Sequence, residues 1–176
     1  MLSLLQSEVR TDRQASARLT ELTSALVQEH RLIDELREAL LSQRAGVAAD
    51  DPESIEHSVH AIGRTLLTLE EARRRRTSLT AVIAGRPGAS LSDLDAVMET
   101  LPAPFVTARD AVRRAAEATA REVAINQTVL RRALDAGDAF LQQLFSSATD
   151  PMPVYVPGPR PSEPRPAGGL LLNRTA

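Results

Sequence analysis

The chain of 176 residues contains no cysteine and no tryptophan, and its 21 basic residues other than histidine are all arginine. Without cysteine, disulfides, thiol catalysis and cysteine-ligated metals are excluded. Without lysine, Schiff-base chemistry, pyridoxal-phosphate attachment and the P-loop lysine are excluded as well. Aromatic side chains are limited to Phe105, Phe140, Phe145 and Tyr155. Leucine and alanine carry the apolar content, which suits helix packed on helix rather than a sheet or a shaped small-molecule pocket. A formal net charge of −2 gives no basic face of the kind a nucleic-acid binder needs. No run approaches the roughly 18 apolar residues of a membrane span. Met1 to Glu8 has neither the basic region nor the apolar length of a signal peptide. The expectation is a cytoplasmic protein with no direct membrane insertion.

What is present is helical periodicity. Leu19, Leu22, Leu26, Ile33, Leu36 and Leu40 alternate spacings of three and four, with Glu29 in the one missing slot. Such a seam has a period near 3.5 and marks a long helix packed at a shallow angle, here over about 3–44. Thr11 to Ser16 is polar but for Ala15, so its first turns are open to fraying or bending. Gly46 is read as its stop, and Asp51-Pro52 as an N-cap with proline at the first helical position. The second helix, 52–84, carries Ile55, Val59, Ile62, Leu66, Leu69, Leu79 and Ile83, and ends at Gly85. A short helix is expected over 91–101, opened by the Ser90-Leu-Ser-Asp93 capping box. A third long helix, 104–146, places Val112, Ala116, Val123, Leu130, Leu134, Leu141 and Leu144 on one side. Gly137 either leaves it whole or splits it.

From 147 to 176 the chain is proline-rich, contains Tyr155, and returns to apolar residues at Leu170, Leu171 and Leu172. Proline at this density forbids helix and disfavours sheet. The predicted fold is all-α: an elongated antiparallel three-helix bundle, with a short connecting helix and a disordered proline-rich C-terminal tail.

Candidate sites are few. His30, His57 and His60 lack the Glu-x-x-His pattern of a bundle metal centre, so no metal and no cofactor are expected. Arg73 to Arg76 spread over more than a full turn, and Glu70 and Glu71 are within intrahelical reach. They form a locally neutralised ring or a docking patch for an acidic partner. Asn126 sits by the apolar stripe of the third helix, where it fixes register or meets the backbone of a bound peptide. Phe140, Leu141, Leu144 and Phe145 exceed what one seam can bury. They form an interaction surface, unless the 91–101 helix covers them. No nucleophile–base pair, phosphate loop or paired acid is placed to converge, so catalysis is not expected.

Several of these stretches resemble the FlgN-type flagellar export chaperones: Leu36-Arg-Glu-Ala-Leu40, Leu66-Leu67-Thr-Leu69-Glu-Glu-Ala-Arg73, Asn126 with Leu130, Tyr155, and the close Leu171-Leu172-Asn173-Arg174-Thr175-Ala176. The resemblance implies a cytoplasmic helical protein that binds the disordered C-terminal segments of FlgK- and FlgL-type hook–filament junction proteins. It also implies delivery to the FlhA-type export gate, with no nucleotide hydrolysis. Client contacts are then expected at Leu130, Leu134, Phe140, Leu141, Leu144 and Phe145. Gate docking falls to Tyr155, and a displaceable lid to Leu170, Leu171 and Leu172. The alternative is a structural helical-bundle or coiled-coil scaffold without a client.

Overall fold

The computed structural model describes residues 2–98 and 100–149, with side chains over 14–98 and 100–146. Tyr155 and Leu170 to Leu172, like the tail to which they belong, lie outside the described residues. Every regular element among the described residues is helical: α1 (Leu2–Ala48), α2 (Pro52–Ala84), a 3-10 turn (Leu91–Asp93), α3 (Leu94–Val97) and α4 (Ala103–Thr149). The chain divides into two compact units, Met1–Gly137 and Asp138–Ala176.

α1 runs through Gly46, which is buried and helical, so the expected stop there is wrong. A Cβ at Gly46 would lie 3.1 Å from Ile55 Cγ1 and 3.2 Å from the Ile55 nitrogen. The glycine therefore serves close approach of α1 to α2. The true stop is Asp50, in the left-handed region at φ 51°. The Asp51 N–H donates to the Gly46 carbonyl (2.9 Å) and the Asp50 N–H to the Val47 carbonyl (3.3 Å). These are the two bonds of a Schellman ending, with aspartate where glycine is usual. Asp51 then caps α2 as expected: its Oδ1 accepts from the Glu53 and Ser54 N–H groups at 3.1 and 3.2 Å. At the far end Gly85 takes the left-handed conformation, φ 69°.

The expected 91–101 helix shrinks to a 3-10 turn and a single α-turn, because Met98 is already extended at φ −115°, ψ 124°. Pro102 and Pro104 leave little room to continue. α4, in contrast, passes Gly137 unbroken and ends three residues later than expected, at Thr149.

In the first unit the α1 seam is the core. Leu19, Leu22, Leu26, Ile33, Leu36 and Leu40 are all buried, joined by Leu69, Leu94, Phe105, Ala108, Val112 and Ala115. Burying each leucine-sized side chain contributes roughly 1.5–3 kcal/mol before ordering costs. Leu91, Met98 and Leu101 pack against this cluster, so with Leu94 most of the apolar residues of the 91–101 stretch are used inside the first unit, Val97 alone of the large ones being exposed. Phe105, fully buried and sandwiched under Arg109 (5.6 Å to the ring centroid), is a core anchor that helical spacing alone did not single out. The α2 seam is shallower than its spacing suggests: Leu69 is buried, whereas Val59 and Leu66 are half exposed.

Candidate functional site

Two surfaces stand out, one in each unit. The first is an apolar groove of about 360 Å³ lined by α1, α2 and α4, with Leu36, Leu40, Val59, Ile62, Leu66 and Leu130 among its walls. It exists because α2 turns Val59 and Leu66 partly outward, opposite Val123 and Leu130, which are themselves half buried. Its polar element is Asn126, 2% exposed, whose Nδ2 donates to Oε1 of the buried Gln43. Asn126 Oδ1 is buried without a hydrogen-bond partner. Leaving an acceptor so costs about 1–3 kcal/mol. The Gln43–Asn126 bond ties α1 to α4 and suits the register role, while the orphan oxygen leaves capacity for a donor. A second α1–α4 tie, Arg44 Nη1 to Glu122 Oε2 at 2.9 Å, lies a turn away.

A larger cavity, about 480 Å³, lies by Arg76, Leu91, Asp95, Arg109 and Arg113. Its cations are already matched: Arg109 with Asp95 (2.9 Å), Arg113 with Asp110 (3.6 Å) and Arg76 with Glu29 (3.2 Å). It offers an incoming anion little uncompensated charge, and the apolar groove is the better candidate.

The arginine run divides its labour. Arg74 pairs with Glu70 within α2, as the ring reading expects. Arg75 instead crosses to Glu21 of α1 at 3.0 Å. Arg73 and Arg76 converge on Oε1 of Glu29, at 3.5 and 3.2 Å. Glu29 is 1% exposed, and its Oε2 has no hydrogen-bond partner. The missing slot in the α1 seam is thus a buried carboxylate held by two arginines, a pairing that spacing within either helix could not disclose. His30 lies beside Asp34 (3.6 Å) and His60 beside Glu56 (3.7 Å), each an i, i+4 neighbour.

Two partly buried carboxylates have perturbed acidity. The Ser54 hydroxyl and backbone N–H hold Asp51 below the usual carboxylate range, with Glu53 N–H adding to them against slight desolvation. The Ser90 N–H and hydroxyl do the same for Asp93, helped by Arg86. Both are helix-end devices.

The second surface lies on α4. Of the residues expected to contact a client, Leu130 is half buried at the groove. Leu134, in the first unit, is 70% exposed. In the second unit Phe140, Leu141, Leu144 and Phe145 are 62, 50, 48 and 70% exposed. Helical geometry puts those four within an arc of about 140°, so they form one apolar face. The groove itself was not anticipated beyond Leu130 and Asn126. The outward-facing Val59 and Leu66 look like ordinary seam residues in sequence.

Among the described residues, no helix is long and apolar enough to cross a membrane. Comparison with known proteins returns no matching family model, no similar curated protein and no similar solved structure.

Proposed function

We propose that this chain binds an amphipathic segment of another protein, in the manner of the FlgN-type flagellar export chaperones that its sequence resembles. The carrying observation is the apolar groove of the first unit, walled by Val59, Ile62, Leu66 and Leu130; in the second unit, taken by itself, Phe140 and Leu141 are at least half exposed. In this reading α1, α2 and α4 form an antiparallel three-helix bundle in the cytoplasm. Recognition is helix-in-groove: the client lays its apolar stripe against leucines and phenylalanines it would otherwise expose. The unpartnered oxygen of Asn126 favours a client that brings an N–H or O–H donor to the groove. Clients are the C-terminal segments of FlgK- and FlgL-type junction proteins. Tyr155 docks on the FlhA-type export gate, and Leu170 to Leu172 act as a displaceable lid.

The test is capture of a FlgK- or FlgL-type C-terminal segment by the full chain. Leu141→Ser with Leu144→Ser, and separately Val59→Ser with Leu66→Ser, weaken capture while circular dichroism keeps its helical signal. Helicity lost together with capture makes those residues core. Tyr155→Ala leaves client capture intact and weakens binding to the gate domain, and deleting residues 168–176 raises client affinity a few-fold. A wild-type chain that captures no such segment favours the scaffold alternative.

A further inference from the structure

The apolar groove of the first unit adjoins a smaller cavity of about 200 Å³, and Leu36 of α1 and Val123 of α4 line both. Along this furrow α4 presents Ala116, Thr119, Val123, Asn126 and Leu130, spaced three, four, three and four. The α2 wall has the same spacing, with Val59, Ile62, Leu66, Leu69 and Arg73. At 100° per residue each set stays within about 80° of arc. Each is therefore a heptad seam, the surface that receives the side chains of a neighbouring helix. Val59 and Leu66 stand outermost and are half exposed, whereas Leu69, Thr119 and Asn126 are buried at the bottom.

Two residues break the apolar character of the α4 wall, and both carry an unused oxygen. Thr119 is 6% exposed and Asn126 2%. Thr119 Oγ1 and Asn126 Oδ1 have no hydrogen-bond partner among the described residues. Thr68, Thr77, Thr80 and Thr128 each donate to the carbonyl four residues back, a bond that Thr119 does not make. Valine or leucine would fill either position without an orphaned oxygen. The two residues are seven apart, two turns along one face, or about 10 Å. A helix laid in the furrow spans that distance with residues i and i+7, which share its own stripe. An extended segment spans it in about three residues, and an odd step turns the second side chain to the opposite face. The backbone N–H groups of a helix are already used, so the partners must be side chains. Asn126 Oδ1 can only accept, whereas the Thr119 hydroxyl can accept or donate.

We propose that the furrow takes an amphipathic helix of another protein whose apolar stripe carries two amide or hydroxyl side chains seven residues apart. One meets Asn126 Oδ1 and the other Thr119 Oγ1. The apolar walls supply affinity, while the two oxygens select the helix and fix its register, because an all-apolar stripe would bury both unpaired. This inference rests on the reading of the groove as a helix-binding site, and it names what that site recognises.

Fluorescence anisotropy with the full chain compares three labelled synthetic helices of about 21 residues, or three heptads. The first has leucine throughout its seam, the second two seam asparagines seven apart, and the third the same two asparagines four apart. The seven-apart helix binds about tenfold more tightly than the four-apart helix of equal composition, and more tightly than the all-leucine one. Thr119→Val, which keeps the shape and removes the hydroxyl, abolishes that advantage, and Thr119→Ser retains it. If the four-apart or the all-leucine helix binds as tightly as the seven-apart one, this inference is overturned and the groove reading stands. A chain that binds none of the three overturns both. Binding that appears only after removal of residues 147–176, or only as a dimer dissociates in sedimentation, assigns the furrow to the chain's own tail or to a second copy. Either result also overturns the proposal.

Discussion

The two ends of α4 share one seam and differ in what lies opposite it. From Phe105 to Asn126 the seam is covered: Phe105, Ala108, Val112, Ala115, Thr119 and Asn126 are all buried. From Leu134 onward the same three-and-four spacing carries leucine and phenylalanine that stay exposed. Within the first unit the reason is visible. The α1–α2 hairpin turns at Ala49–Asp51, only two turns beyond Gln43, which bonds Asn126. Periodicity writes a face onto a helix without saying what covers it. Burial follows that face within the first unit and stops short of Leu134, although the spacing continues.

Four sets of substitutions test that contrast, starting with the strongest. Phe105→Ala empties the core and costs about 3–5 kcal/mol, read by urea denaturation, while Phe140→Ala changes stability by less than about 0.5 kcal/mol. Comparable losses at both positions would show that Phe140 is covered. Next, Arg73→Ala with Arg76→Ala strands the Glu29 carboxylate and costs about 3 kcal/mol. Adding Glu29→Leu, which completes the α1 seam, restores most of that loss. If it restores nothing, the arginines stabilise by their stems rather than by charge.

A smaller effect is expected in the groove. Asn126→Ala leaves Gln43 unpaired and costs about 1–3 kcal/mol, whereas Asn126→Leu combined with Gln43→Leu is close to neutral in thermal denaturation. A double variant as damaged as the single one would mean that the pair stabilises the fold rather than setting its register. The smallest effect is at the helix ends. The folded-state acidity of Asp51 is raised, so the stability it contributes is present above its unfolded pKa. It is lost as pH falls through the folded value, below about pH 4. Asp51→Asn should flatten the stability profile in that acid range and leave it unchanged near neutrality.

Much of the architecture was legible in the sequence, and the failures share a cause. The α1 seam, the Asp51 cap and the Gly85 ending follow from local chemistry, and each is found where spacing and capping rules put it. Gly46 misled because a glycine that ends a helix and one that admits a neighbouring helix are identical in sequence. Only the contact with Ile55 separates them. The 91–101 stretch misled because its leucines have helical spacing, but proline at 102 and 104 and the pull of the core around Leu94 and Phe105 decide its path. Glu29 was noticed as a gap in the seam, whereas its arginine partners are more than forty residues away and become neighbours only through the hairpin. The apolar groove was the least legible feature. It depends on how far α2 rotates Val59 and Leu66 outward, which a seven-residue pattern does not encode.

Hydrogen exchange across α4 tests the central claim most directly: that its face beyond Leu130 is a docking surface for another chain's apolar helix. The full chain is compared with and without a FlgK- or FlgL-type C-terminal segment. The account predicts fast exchange over 131–146 in the free chain and strong protection when the segment is added, together with new protection around Val59 to Leu66. Slow exchange over 131–146 in the free monomer, or exchange that the segment leaves unchanged while it binds elsewhere, would contradict it.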